Sequence, residues 1–166
     1  MSFSLIPKSI VDRLTEVTPQ QLQARGIRFL MLDFDNTIIP YTTNTPTEEM
    51  EQWLQMMQQS AVGICVVSNS KRDRVVKFCK ARDIPVITHS KKPFRKGIGQ
   101  CLAQFGLKPE ETALAGDQIF TDVLGINRAG GISILVKPIH LHNIWLRLRH
   151  VAELPFIAIG KRKVSK

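Results

Sequence analysis

Cysteine, long apolar runs, aromatics and acids are all in short supply in this 166-residue chain. Its three cysteines, Cys65, Cys79 and Cys101, form no Cys-x-x-Cys pair. An odd number without metal-ligand spacing speaks against a disulfide framework or metal site and favours reduced thiols in a cytosolic protein. No apolar run approaches the roughly 20 residues that span a bilayer. The opening MSFSLIPKSIVDRLTEV reaches Asp12 without a long apolar stretch, so no secretory signal is expected. One Tyr, two Trp and eight Phe, mostly within apolar runs, offer no stacking platform for single-stranded nucleic acid. No GxxxxGK[ST] occurs, and Gly97-Ile98-Gly99 lacks the third glycine and the preceding strand of a dinucleotide fingerprint.

The shortage of acids is uneven. Fourteen Asp and Glu face 23 Lys and Arg, a net charge of +9. Residues 71–96 hold ten Lys and Arg against Asp73 and Asp83, and residues 137–166 hold seven against Glu153. The rest of the chain is therefore net acidic. Such asymmetry suits anionic partners: phosphorylated substrates, nucleic acid or an acidic membrane surface. Solvated helix faces would give the same pattern in either cluster alone.

What the chain does have is alternation. Five apolar segments read as strands: Ile27–Leu32, Val62–Val67, Pro85–Thr88, Thr112–Ala115 and Gly131–Val136. The longer ones are continuous, as in parallel strands covered on both faces. Between them lie helical patterns. Met50, Trp53, Leu54 and Met57 form a core stripe behind a Thr45 or Thr47 cap. SNSKRDRVVKFCKARD makes a basic helix with Val75, Val76 and Cys79 inward. Phe94–Phe105 and Phe120–Ala129 run to Gly106 and Gly130. The reading is an α/β fold: a Rossmann-like three-layer α/β/α sandwich around a mostly parallel five-stranded sheet. A helical extension is expected over residues 1–26, a core over 27–137, and a basic C-terminal helix and tail over 138–166.

Ligands of open α/β sheets bind beyond the carboxyl ends of the strands. Those ends read Asp33 with Asp35, then Ser68-Asn69-Ser70, then His89-Ser90-Lys91-Lys92-Pro93, then Gly116-Asp117 with Asp122 nearby. Clustered carboxylates repel unless a cation lies between them, and oxygen ligands without His or Cys suit Mg²⁺. A lysine and a serine add donors for phosphate oxygens. One aspartate can attack phosphorus while a second acts as acid and then base. Taken as a set, this is chemistry rather than helix capping, although Asp122 alone could be an ordinary helix residue.

These residues carry a resemblance. DFDNT resembles the DxDxT signature of the haloacid dehalogenase-like phosphatases, Ser68 their second motif, Lys92 in KKP their third, and GDQIFTD, residues 116–122, their fourth. The resemblance implies that Asp33 is the nucleophile, Asp35 the acid and base, and Thr37 a brace. Ser68 would bind the phosphoryl group with Asn69 beside it, and Lys92 would neutralise the intermediate, with Lys91 as runner-up. It implies Mg²⁺ on Asp33, the Asp35 backbone carbonyl and Asp117, oriented by Asp122. Thr37 to Ser68 and Ser68 to Lys92 leave no room for an inserted cap domain.

More narrowly, DFDNTIIP, VVSNS with its Arg-rich helix, IPVITHSKKP and GDQIFTDVLGINRAG resemble the bacterial and mitochondrial phosphatidylglycerophosphate phosphatases within subclass III of that superfamily. This implies loss of the terminal phosphate of a phospholipid head-group, with peripheral contact at the anionic inner face of a membrane. A second reading keeps the chemistry and moves it to nucleic-acid ends or phosphoproteins. A third is a non-catalytic basic domain for RNA or an assembly partner. The tail fits an interfacial helix, with Ile144, Trp145, Leu148 and Val151 on one face, or a helix packed on the sheet. His140 and His142 read as exposed histidines.

Overall fold

A computed structural model describes residues 4–71, 73–140 and 144–164. Its strands are β1 (Ser9–Val11), β2 (Phe29–Leu32), β3 (Gly63–Val67), β4 (Val86–Ile87), β5 (Thr112–Gly116) and β6 (Ile132–Val136). They form one wholly parallel sheet in the order β1-β6-β5-β2-β3-β4. The helices are α1 (Pro19–Ala24), α2 (Glu48–Gln58), α3 (Asp73–Lys80), α4 (Arg95–Gln104), α5 (Leu124–Ala129) and α6 (Ile144–Val164).

The central strand explains its own composition. Leu30 and Leu32 of β2 share one core with Trp53 and Leu54 of α2 and Val75 and Phe78 of α3. Phe29 and Met31 share another with Ile98 and Cys101 of α4 and Ile126 of α5. Alternate side chains leave opposite faces of a strand, and helices cover both, so every position must be apolar. The result is the three-layer sandwich, with no cap domain between β2 and α4. Thr47, not Thr45, caps α2 by accepting from Met50 N at 3.2 Å.

The sheet has one strand more than the five expected. Residues 9–11, within the segment expected to be helical, pair in parallel with β6, Ser9 opposite Ile134 and Val11 opposite Val136. β6 would otherwise be an open edge, and Ile10 and Val11 are good strand formers. Three residues are too few to show a period of two. α1 does form behind them: Thr18 and Gln21 make a reciprocal capping box, with Pro19 in the first turn.

Two helices depart from their expected faces. In α3, Val75, Phe78 and Cys79 are buried at i, i+3 and i+4, while Val76 points about 100° away from Val75 and is exposed. α6 packs on the sheet edge through buried Glu153 and Gly160, with Phe156 edge-on to Phe120 at 6.1 Å. Its Leu148 and Val151 are exposed. The side chains of Ile144 and Trp145, and all of His142, lie outside the described residues. His140 is exposed. Among the described residues no helix is long and apolar enough to cross a membrane.

Candidate active site

Four strand ends deliver the site. β2 runs into Asp33, whose backbone N–H still donates to Ala115 O at 2.9 Å, so the residue is held as an extension of the sheet. The chain then turns at Asn36, in the left-handed region at φ 67°, which asparagine tolerates better than most residues. Asn36 N donates to Ile39 O at 2.7 Å, closing the turn. Thr37 Oγ1 is buried there with no hydrogen-bond partner among the described residues. β3 ends in Ser68, whose hydroxyl oxygen accepts from Ser70 N at 3.1 Å and keeps its proton to donate.

β5 ends in Gly116, followed by Asp117. The next stretch, Ile119–Val123, is a single π-helical turn, a widened geometry common at functional sites. It folds the Asp122 carboxylate back so that Oδ2 accepts from Gln118 N at 3.1 Å. A Cβ on residue 116 would collide with that carboxylate, which accounts for the glycine.

Lys92 occupies the centre. Its ammonium lies 2.6 Å from Asp33 Oδ1 and 2.7 Å from Asp122 Oδ1, fully buried. Asn69 braces the turn that brings it there: its Oδ1 accepts from Lys92 N and Ser90 Oγ, both at 2.7 Å, while Nδ2 donates to Lys92 O at 3.0 Å. Asn69 therefore lines the site with its amide engaged on the lysine loop. Lys91 is exposed.

Asp35 is paired with a residue that sequence reasoning did not single out. Arg74 of α3 places Nη2 2.9 Å from Asp35 Oδ1, and donates to the carbonyls of Pro40, Tyr41 and Thr43. Within residues 71–82, Arg74 is committed to the site, and Arg82 to Glu51 at 2.8 Å and the face of Phe78. Both sit at spacings that a composition count reads as generic charge. Tyr41, Gln118 and Thr121 were also missed. With Asp33, Asp35, Ser68 and Lys92 they line a cavity of about 210 Å³. A larger groove of about 800 Å³ beyond the Thr37–Pro40 turn is lined by none of the four aspartates.

Burial pushes the Asp33 carboxyl up to about 7, with Lys92 pulling against it and Asp122 adding to the rise. Burial alone would lower Lys92, but Asp122 and Asp33 outweigh it and hold the ammonium above its ordinary range. Oxygens of Asp33, Asp117 and Asp122 all lie within 4.8 Å of one another. With all three ionised, the buried carboxylates against one ammonium leave two negative charges, and the donors are all oxygen. That set fits a hard divalent cation.

Comparison with known proteins agrees with this geometry. A family model described as mitochondrial PGP phosphatase matches residues 2–139. The probable phosphatase YqeG of Bacillus subtilis (strain 168) is 32% identical over 159 residues, 95% of this chain and 92% of its own. The fold resembles a HAD-superfamily hydrolase from Ehrlichia chaffeensis, at TM-score 0.57 and 13% identity, over 78% of this chain and 97% of that one. It also resembles the cobalt-bound deoxy-D-mannose-octulosonate 8-phosphate phosphatase YrbI of Haemophilus influenzae, at TM-score 0.51 and 14% identity, over 82% and 92%. The protein is an enzyme, a phosphatase with a fold like that of a HAD-superfamily hydrolase, and the chain belongs to the mitochondrial PGP phosphatase family.

Proposed function

We propose that the protein is a Mg²⁺-dependent phosphomonoester hydrolase that converts phosphatidylglycerophosphate to phosphatidylglycerol through an aspartyl-phosphate on Asp33. The observation that carries the chemistry is the meeting of Asp33, Asp35, Ser68, Lys92, Asp117 and Asp122 at one end of the sheet. The lipid reading rests on the family match over residues 2–139.

In this reading the Asp33 carboxylate attacks phosphorus, the ester oxygen leaves, and Asp35 gives that oxygen its proton. Asp35 then takes a proton from water, whose oxygen displaces Asp33 and releases inorganic phosphate. Ser68 donates to a phosphoryl oxygen, and Lys92 neutralises charge on the transferring group and on Asp33. Asn69 holds the Lys92 loop, Thr37 braces the Asp35 turn, and Lys91 meets the substrate only from the rim. Asp33, Asp117 and the Asp35 backbone carbonyl would hold the cation, with Asp122 orienting that set. The bound ion would neutralise charge developing on the phosphoryl oxygens.

Residues 27–137 are the catalytic unit here, with 1–26 and 138–166 flanking it. A bilayer substrate also fits an uncapped site on a chain of net charge +9, working as a cytoplasmic protein peripheral to an anionic membrane. The test is Mg²⁺-dependent phosphate release from phosphatidylglycerophosphate in mixed micelles, wild type beside Asp33→Asn. Release that needs both metal and Asp33 is expected. Hydrolysis of an aryl phosphate or a phosphorylated oligonucleotide, with the lipid left intact, would keep the chemistry and remove the lipid assignment.

A further inference from the structure

Phe94 stands out against every local preference. It is 63% exposed, and it occupies the N-cap of α4, where it makes no side-chain hydrogen bond to the helix. Ser, Thr, Asp and Asn are favoured there because their oxygens satisfy the first helical N–H groups. Phenylalanine forfeits the cap and leaves its ring in water. It is also two residues from Lys92, whose side chain lines the cavity.

The ring is displayed on a fixed turn. Phe94 N donates to Lys91 O at 2.8 Å, and Gly97 N to Ser90 O at 2.9 Å. Asn69 pins Ser90 and Lys92 from the neighbouring strand end. Gly97 packs so closely on Ser90 that a Cβ would not fit. The turn thus holds an exposed aromatic side chain on the same loop that delivers Lys92 to the site.

The charge around it has one sign. Lys91 and Lys96 are exposed on either side, and Lys71 is exposed just beyond Ser70 of the cavity wall. No acid occurs in the sequence between Asp83 and Glu110. An apolar ring among lysines, with no carboxylate interleaved, is complementary to an anionic surface with an apolar interior.

We infer that Phe94, flanked by Lys91 and Lys96, is the element that docks the mouth of the active site onto an anionic lipid bilayer. The ring enters the boundary between head-groups and acyl chains while the lysines meet lipid phosphates. This deepens the lipid-phosphate reading and rests on it for its purpose, but it can be tested without any catalysis.

The test is co-sedimentation of the full chain with vesicles of phosphatidylglycerol in phosphatidylcholine, against phosphatidylcholine alone. Phe94→Ser restores a good cap, so its thermal midpoint should rise, which removes misfolding as an explanation. Its binding to the anionic vesicles should fall about tenfold, the effect of removing one buried aromatic side chain from the bilayer. Lys91→Gln/Lys96→Gln should weaken binding and flatten its dependence on salt. Leu148→Glu/Val151→Glu, on the exposed face of α6, should bind like wild type.

Wild-type binding by Phe94→Ser would overturn the proposal. So would loss of binding confined to the α6 variant, or light scattering showing that Phe94 instead joins two copies of the chain. Phe94-dependent vesicle binding without hydrolysis of the lipid would sink the substrate reading and leave the docking surface intact. Hydrolysis of the lipid in detergent without vesicle binding would do the reverse.

Discussion

Arg74 donates to Asp35 across 2.9 Å, tying a helix on one face of the sheet to the loop that follows its central strand. The same guanidinium holds the carbonyls of Pro40, Tyr41 and Thr43 and lies over the Phe34 ring at 5.2 Å. Arg74→Ala should cost about 3 kcal/mol, because it leaves a mostly buried carboxylate without its cation. Arg74→Lys should recover little, since one ammonium cannot reproduce the planar fork. Urea unfolding with kcat measured alongside checks this. Equal losses of kcat in both variants, with stability kept only in the lysine form, would show that the fork serves Asp35 rather than the fold.

Lys91 and Lys92 are adjacent in sequence and opposite in situation, one exposed and one buried between two carboxylates. Lys92→Ala should abolish turnover and destabilise by about 3–5 kcal/mol, the usual cost of stranding a buried charge. Lys91→Ala should stay within about 0.5 kcal/mol of wild type in stability. An inactive Lys91→Ala beside an active Lys92→Ala would reverse the assignment.

The raised Asp33 pKa sets a pH dependence. Its folded value of about 7 stands above the ordinary 3.8, so the native state holds this proton more tightly than the unfolded chain. The stability it contributes is present below the unfolded value and is lost as pH rises towards the folded one. In metal-free protein, Asp33→Asn should therefore gain on wild type between about pH 4 and pH 8. Thermal melts across that range decide it. Added Mg²⁺ should stabilise wild type most at the alkaline end, where Asp33 is ionised, and should stabilise Asp33→Asn least.

Glu153 is buried on α6 and accepts from Ile119 N at 2.9 Å, at the start of the π-helical turn that carries Asp122. Glu153→Gln keeps an acceptor there. Glu153→Leu does not, and should cost about 1–3 kcal/mol for the stranded N–H. If that contact sets the position of the acidic loop, half-maximal activity in the leucine variant will need more Mg²⁺ than in the glutamine variant. Equal Mg²⁺ requirements with unequal stability would confine Glu153 to folding.

The parallel sheet was legible because β2, β3, β5 and β6 are buried on both faces and so read as unbroken apolar runs. Asp33, Ser68, Lys92 and Asp117 were legible because parallel topology sends every strand end to one rim. β1 was not, since its pairing is set by the edge of β6, more than 100 residues away in sequence. The contacts of Arg74 and Asn69 were not legible, for a related reason. Their partners are chosen by how α3 and the β4–α4 turn pack, and a count of positive charges cannot separate an arginine that locks a loop from one that faces solvent. Phe94 was read only as the start of a helix, and its exposure became visible once the turn before it had a shape.

The missing cap has a kinetic consequence. Enzymes that close a lid over their substrate spend part of each cycle opening it, and that motion often limits turnover. Here the span from β2 to β3 holds one helix, and the span from β3 to Lys92 holds one helix and a two-residue strand. Among the described residues neither span holds a folded cap that could swing shut. Access is then governed by how the whole molecule is oriented when it meets its substrate, so turnover should track the frequency of productive encounters rather than a gate within the protein.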